Sequence, residues 1–336
     1  MKIARELVAA GLAASMMLMT GCFRETKLNF IDNLHNMTIA ISEAASPNVR
    51  EAAKEFINRA AYYSDGSLQI ELKESSNIQQ TLERGEANFA FVESKELSQE
   101  VECLKTLELP FFFKNEVYHY SGLNSERTLH YLNKKMGENY PVEILTAALS
   151  GYSEIAAEAH ADFSDVRQQY PIAIREPVFS QELQKELSVQ EIESQEPFRQ
   201  LQREKVQLAE TNMEELITAA RNAPGKYKIA DFPWKMETAF LLMQKGVEEQ
   251  LNAKQKAAIQ QASVMAGGYC RTLTQQQRAR NIQELDSLRI QTFHISRERY
   301  FSMMGDIYQY RTEDVHWALD LELDRLIRSD GVQEAC

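Results

Sequence analysis

The apolar positions of residues 37–92 change period several times, and each change marks an element. Met37-Thr38-Ile39-Ala40-Ile41 reads as a β-strand. Behind Ser46-Pro47, a capping serine with proline in the first turn, Val49, Ala52, Ala53, Phe56, Ile57 and Ala60 recur at helical spacing. Asp65-Gly66 is a turn sequence, and Leu68, Ile70 and Leu72 alternate with polar residues as a second strand. A short helix over Ile78 to Arg84 stops at Gly85, and Asn88-Phe89-Ala90-Phe91-Val92 supplies a third strand. Strands alternating with helices predict a mainly parallel sheet covered on both faces.

The apolar run Leu107 to Phe113, with Pro110 inside it, leads into a predicted helix from Val117 to Met136. A second α/β group is expected to begin near Val142-Glu143-Ile144-Leu145-Thr146-Ala147. In it, Ile172-Ala173-Ile174-Arg175 is a strand ended by Pro177, Phe179 to Leu187 is helical, and Val206 to Ala209 is a short strand between helices Phe198 to Arg203 and Met213 to Ala220. Thr238 to Met243 is strongly apolar, and Val247 to about Leu288 is a long helical stretch with a bend expected at Gly267-Gly268. Arg289 to His294 reads as a late strand, and Thr312-Glu313-Asp314 opens a last amphipathic helix carrying Val315, Ala318, Leu319, Glu322 and Leu326. The fold class is α/β, with two lobes, a ligand cleft between them and long C-terminal helices. Lobe one takes residues 37–147 and 236–270, lobe two 148–235 and 271–310, and residues 311–336 form a C-terminal helix and tail.

Charge narrows the choice of partner. With 37 Lys and Arg against 49 Asp and Glu the net charge is -12, which repels a phosphate backbone, so no nucleic-acid partner is expected. Cys22, Cys103, Cys270 and Cys336 lie far apart without a Cys-x-x-Cys, which fits neither a disulfide framework nor a zinc site. The first residues read as an address: Lys2 and Arg5 precede an apolar or small run from Leu7 to Met19, too short for a bilayer span of about 20 apolar residues. That run ends in Leu18-Met19-Thr20-Gly21-Cys22, which resembles a bacterial lipobox. Residues 1–21 are therefore expected to be a lipoprotein signal peptide, Cys22 the diacylated residue, and residues 22–36 a tether holding the body outside the cytoplasm.

Four segments occur in the order and spacing of one family. They are Pro47 to Phe56, Asp65 to Glu71, Thr81-Leu82-Glu83-Arg84-Gly85-Glu86-Ala87-Asn88-Phe89-Ala90, and Leu109-Pro110-Phe111-Phe112-Phe113. In lobe two, Asp165-Val166 through Ile174-Arg175-Glu176-Pro177 and Pro197-Phe198 through Val206 continue the series. The chain resembles the substrate-binding proteins of TRAP transporters, the tripartite ATP-independent periplasmic systems that take up organic acids. The resemblance covers about Met37 to Tyr310 and rests on colinear order, no single motif being specific. It implies a receptor that binds a small organic acid and meets the transporter's membrane subunits.

The resemblance also implies a site. The arginine of the family's Ile-Arg-x-Pro strand holds the substrate carboxylate, and Arg175 occupies that position. A planar guanidinium presents paired N–H donors matched to a carboxylate, which suits the role. The family's Asp-Gly-Gln-Glu-Asn-Pro segment is here Gln207-Leu208-Ala209-Glu210-Thr211-Asn212, keeping Glu210 alone. Its Gly-Phe-Arg segment corresponds to Gly151-Tyr152-Ser153-Glu154, without the second basic residue. Arg175, Glu210, Glu43, Tyr152, Ser153 and Glu154 are thus the candidate ligand-binding residues. Glu43 and Glu154 would repel a second carboxylate, so a single carboxylate or a ligand with an amino group suits the pocket better than a dicarboxylate. The alternative is a protein-interaction lipoprotein on the same fold with a degenerate site.

An enzyme is not expected. The six histidines form no His-x-x-x-His pair, and His-Glu-x-x-His, Gly-x-Ser-x-Gly, P-loop and Gly-x-Gly-x-x-Gly motifs are missing from the sequence. Carboxylate pairs abound, but 49 acidic residues supply them by chance. No cofactor and no metal are called for.

Overall fold

The alternation at Met37, Ile39 and Ile41 becomes β1 (His35–Ser42), and the periodic run behind it becomes α1 (Pro47–Tyr63), whose first turn is capped by the Ser46 hydroxyl accepting the Val49 N–H. The chain is described here from a computed structural model, over residues 35–162, 170–175, 184, 189–293 and 320–331. Asp65 and Gly66 turn the chain into β2 (Leu68–Ser75), and α2 (Ile78–Glu83) returns it to β3 (Phe89–Glu93). β1 runs parallel to both β2 and β3. After α3 (Ser94–Leu97) and a 3-10 segment (Glu102–Glu108), the expected Val117 to Met136 helix is two helices, α4 (Glu116–Asn124) and α5 (Glu126–Met136). Ser125 separates them because its backbone is extended, at ψ 146°, and its hydroxyl caps α5 by accepting the Thr128 N–H.

The expected new group at Val142 is one continuous strand, β4 (Val142–Glu158). It is followed by β5 (Tyr170–Ile174), β6 (Val189–Glu193), α6 (Pro197–Gln202), β7 (Leu208–Thr211), α7 (Met213–Asn222), β8 (Tyr227–Ala230) and β9 (Lys235–Gln244). β7 starts two residues later than the sequence suggests, and β6 and β8 are strands the apolar pattern does not reveal. α8 (Ala253–Ser287) begins at a capping box on Asn252 and Gln255, six residues after Val247, and passes unbroken through Gly267-Gly268. β10 (Gln291–Phe293) and α9 (Leu321–Asp330) complete the described chain, with Asp320 rather than Thr312 capping α9. Phe179 to Leu187, apart from Gln184, and Thr312 to Leu319 lie outside the described residues.

The strands hydrogen-bond in the order β2-β1-β3-β9-β4-β7-β5-β6, with β8 on β4 and β10 on β8. β4 is the shared member. Val142 to Ser153 pairs antiparallel with β9, while Glu154 to Glu158 pairs with β7 and β8. Layers cover both faces of the sheet. α1 and α8 bury Phe56, Ala60, Ala262 and Cys270 against Ile39, Phe89 and Leu241 on one side. Leu104, Phe112, Leu132 and Ile327 pack on Ala90, Phe240 and Leu242 on the other. A third cluster, with Phe198, Leu216 and Leu285, closes the part of the sheet built on β7. Each fully buried large side chain contributes roughly 1.5–3 kcal/mol of transfer free energy. α8 serves both regions, since Ala258 to Cys270 belongs to the first cluster and Leu285 to the third. Within the described residues no helix is long and apolar enough to cross a membrane.

Candidate functional site in the interlobe cleft

Where β4 passes from β9 to β7, a register shift between Leu149 and Gly151 interrupts the ladder and leaves Ser150 as the extra residue. A cavity of about 570 Å³ opens around this crossing point. It is lined from the β1–α1 junction, β3, α3, β4, β5, β7, β9 and the second half of α8, so both parts of the sheet contribute walls. A volume in this range fits a small ligand. Six carboxylates and four cations, Lys95, Arg175, Lys235 and Arg278, face it.

Glu210 organises one end. It is 3% exposed, in the middle of β7, and its carboxylate accepts the Ser153 hydroxyl at 2.8 Å and the Arg175 backbone N–H at 2.9 Å. The Lys235 ammonium lies 3.6 Å from Glu210 Oε1, and the Arg175 guanidinium 3.8 Å. Burial alone would raise the Glu210 carboxyl, but Lys235, the Arg175 N–H, the Ser153 hydroxyl and the Arg175 guanidinium together hold it below the usual carboxylate range. Arg175 follows the last residue of β5, as expected, and its side chain is 48% exposed toward the cavity. Its guanidinium makes no hydrogen bond among the described residues, so its paired donors remain open to an entering anion.

Glu154 forms the second cluster. Next to Ser153 on β4, it points to the opposite face and is fully buried against Arg278 of α8, Nη2 to Oε1 at 3.1 Å. Burial pushes its carboxyl up to about 7, with Arg278 opposing the rise. Its Oε2 has no hydrogen-bond partner. The Arg278 guanidinium stacks on the Tyr152 ring, 4.8 Å from its centroid, while the Tyr152 hydroxyl donates to Glu116. Burial, then that contact, raises the Tyr152 phenol above its ordinary value.

A third cluster comes from β3, α3 and β9. Lys95 pairs with the buried Glu93 at 2.7 Å, and Glu108 accepts the Ser94 hydroxyl at 2.6 Å. Glu237 sits across from Gly151 in the β4–β9 ladder, its carboxylate occupying the space that a Cβ at position 151 would need. Burial pushes the Glu237 carboxyl up to about 7, Lys95 opposing and Glu93, Glu108 and Glu210 adding to the rise.

Of the residues singled out in the sequence, Arg175, Glu210, Tyr152, Ser153 and Glu154 therefore line one cavity, the last three from within β4. Glu43 is exposed and does not line it; Ala44 and Ser46 do. Cys22 lies outside the described residues. Lys235, Glu237, Lys95 and Arg278 escaped sequence reasoning. Lys235 and Glu237 had a signal, two charges alternating with apolar residues at the start of an otherwise buried strand. Arg278 had none, being one of several arginines on a long helix.

No protein-family model matches the sequence, and no curated protein matches it. Solved structures do match in fold. A TRAP periplasmic solute-binding protein from Ochrobactrum anthropi superposes with a TM-score of 0.73 at 16% identity, over 90% of this chain and 96% of that one. The sugar acid binding protein of Advenella mimigardefordensis, in complex with galactonate, gives 0.60 at 14% identity over 88% and 99%. A TRAP periplasmic solute-binding protein from Chromohalobacter salexigens, with bound D-glucuronate, gives 0.63 at 16% identity over 89% and 99%. The likeness runs through both parts of the sheet and nearly the whole of each relative, so the chain has the two-lobed α/β fold of the TRAP periplasmic solute-binding proteins.

Proposed function

We propose that the chain is a lipid-anchored extracytoplasmic receptor of a TRAP-type transporter. It binds a small organic anion, a carboxylate, in the interlobe cleft and delivers it to a membrane permease. The observation that carries this reading is Arg175. It lies at the end of β5 on the wall of a 570 Å³ cavity, half-exposed, with its guanidinium 3.8 Å from Glu210 Oε1. The fold likeness, and the sugar acids bound by two of the relatives, support the same class of solute. Attachment through Cys22 after removal of residues 1–21 rests on the lipobox resemblance. A receptor of this kind works because its ligand binds the closed form better than the open one, which is what shifts the population. The reading makes it a binding protein and not an enzyme.

The competing reading, a protein-interaction lipoprotein with a degenerate site, draws on the internal pairing of Glu154 with Arg278. Titration calorimetry of the purified protein with glucuronate, galactonate and shorter carboxylates decides between them. A receptor gives saturable binding and a ligand-dependent rise in melting temperature. Arg175→Ala then weakens binding by about 10- to 100-fold, the worth of a lost charge-assisted hydrogen-bond pair. Flat isotherms throughout the panel favour the competing reading, and an Arg175→Ala protein that binds as before removes the anchor.

A further inference from the structure

The charges on the cavity wall do not cancel evenly. Lys95 is matched by Glu93, and Arg278 by Glu154. Arg175 and Lys235 share the single carboxylate of Glu210, which leaves one positive charge in excess at that end. Glu237 carries the opposite excess: among the described residues the cation that acts on its carboxylate is Lys95, which is already paired with Glu93 at 2.7 Å. Lys235 and Glu237 are two residues apart on β9 and so project from the same face of the strand, about 6.5 Å apart along it. Beside them Ser150, 1% exposed and lining the cavity, holds a hydroxyl without a hydrogen-bond partner. A buried hydroxyl of this kind is costly unless something completes it.

The geometry points to a zwitterionic solute, its carboxylate held at Arg175 and Lys235 and its amino group, as a cation, held at Glu237 with the Ser150 hydroxyl alongside. This rests on the receptor reading and narrows its substrate class. A purely anionic solute would bring its charge to Arg175 but leave Glu237 unanswered and add repulsion from the surrounding carboxylates, Glu93 and Glu108 among them. A solute carrying both charges lies along β9 as the complementary dipole.

Matched pairs of solutes differing only by hydroxyl against amino test it: L-lactate with L-alanine, and D-gluconate with 2-amino-2-deoxy-D-gluconate. By calorimetry at pH 8 the amino member of a pair binds at least about ten-fold tighter, and Glu237→Gln brings the ratio close to one by weakening the amino member while the hydroxy acid, relieved of one carboxylate's repulsion, binds as tightly or tighter. A second readout needs no variant. Glu237 takes up a proton near pH 7, in the field of Lys95, Glu93, Glu108 and Glu210, so the wild-type preference shrinks from pH 8 to pH 6 while the solute's ammonium stays charged. Hydroxy acids that bind as tightly as their amino partners overturn this inference and leave the receptor reading standing. A preference that survives both Glu237→Gln and pH 6 overturns the assignment to Glu237. Binding by none of the four, nor by the carboxylate panel above, overturns the receptor reading and this inference together.

Discussion

Replacing Glu154 by Gln should stabilise the protein in neutral and alkaline solution and leave it nearly unchanged in acid. Glu154 is fully buried, and even with Arg278 at 3.1 Å its carboxyl is pushed up from 4.5 to about 7. For an acid whose pKa is higher in the folded state, the unfolded chain loses its proton first. Stability therefore falls as pH rises through 4.5, continues to fall until about 7, and is level beyond. The interval corresponds to about 3 kcal/mol in all, of which about 2.5 kcal/mol falls between pH 5 and pH 8. Glutamine keeps a carbonyl oxygen for the Arg278 N–H and does not titrate, so the variant escapes this loss. Urea unfolding of both proteins at pH 5 and pH 8 isolates the residue, because every other titrating group, Glu237 included, cancels in the comparison. The stability gap should move toward the variant by about 2.5 kcal/mol on going to pH 8. A gap of the same size at the two pH values would refute the reasoning, showing that Glu154 does not change its protonation on unfolding in this range.

Three further substitutions probe what positions the cleft. Gly267→Ala and Gly268→Ala, neighbours on α8, should act with opposite signs in chemical denaturation. A Cβ at 267 would lie 2.9 Å from the Thr146 hydroxyl oxygen, itself bonded to Asn124, and the clash should cost about 1–3 kcal/mol. At 268 nothing lies within 4 Å, and the gain in helix propensity should stabilise by about 0.5–1 kcal/mol. Asp320→Ala removes the cap on the Leu323 N–H at 2.9 Å and the acceptor of the Tyr131 hydroxyl at 2.7 Å. It should cost about 1–2 kcal/mol and speed hydrogen exchange in α9 well before β9 is affected.

Residues 37–92 were largely legible because each element carries its own local signal: a period of two at Met37 to Ile41, a Ser-Pro start at Ser46, a turn at Asp65-Gly66. Legibility failed where the deciding interaction is distant or the signal short. The break at Ser125 was readable in principle, since a serine ahead of Glu126 and Thr128 is an N-cap pattern, but the apolar spacing runs across it. β6, Val-Gln-Glu-Ile-Glu, is too polar to announce a strand, and only its pairing with β5 makes it one. β4 looked like the start of a new unit because nothing local shows that one strand serves two ladders. The cavity followed the same rule. Arg175 and Glu210 came from the family resemblance, whereas Arg278 reaches Glu154 from a helix whose placement depends on the whole core.

The position of β9 in the sheet also fixes an order of assembly. β3 and β4 do not pair with each other; β9 lies between them, so on the edge away from β1 Phe89 finds its ladder partner only at Met243. β1, β2 and β3 can form their parallel trio early, but β3 and β4 keep unpaired edges until residues 235–244 are available. Pairings so far apart in sequence are slow to close. A chain emerging from N-terminus to C-terminus therefore cannot finish either lobe by itself. The cleft comes into being only in the late step that inserts β9, and that step also delivers Lys235 and Glu237 to its wall.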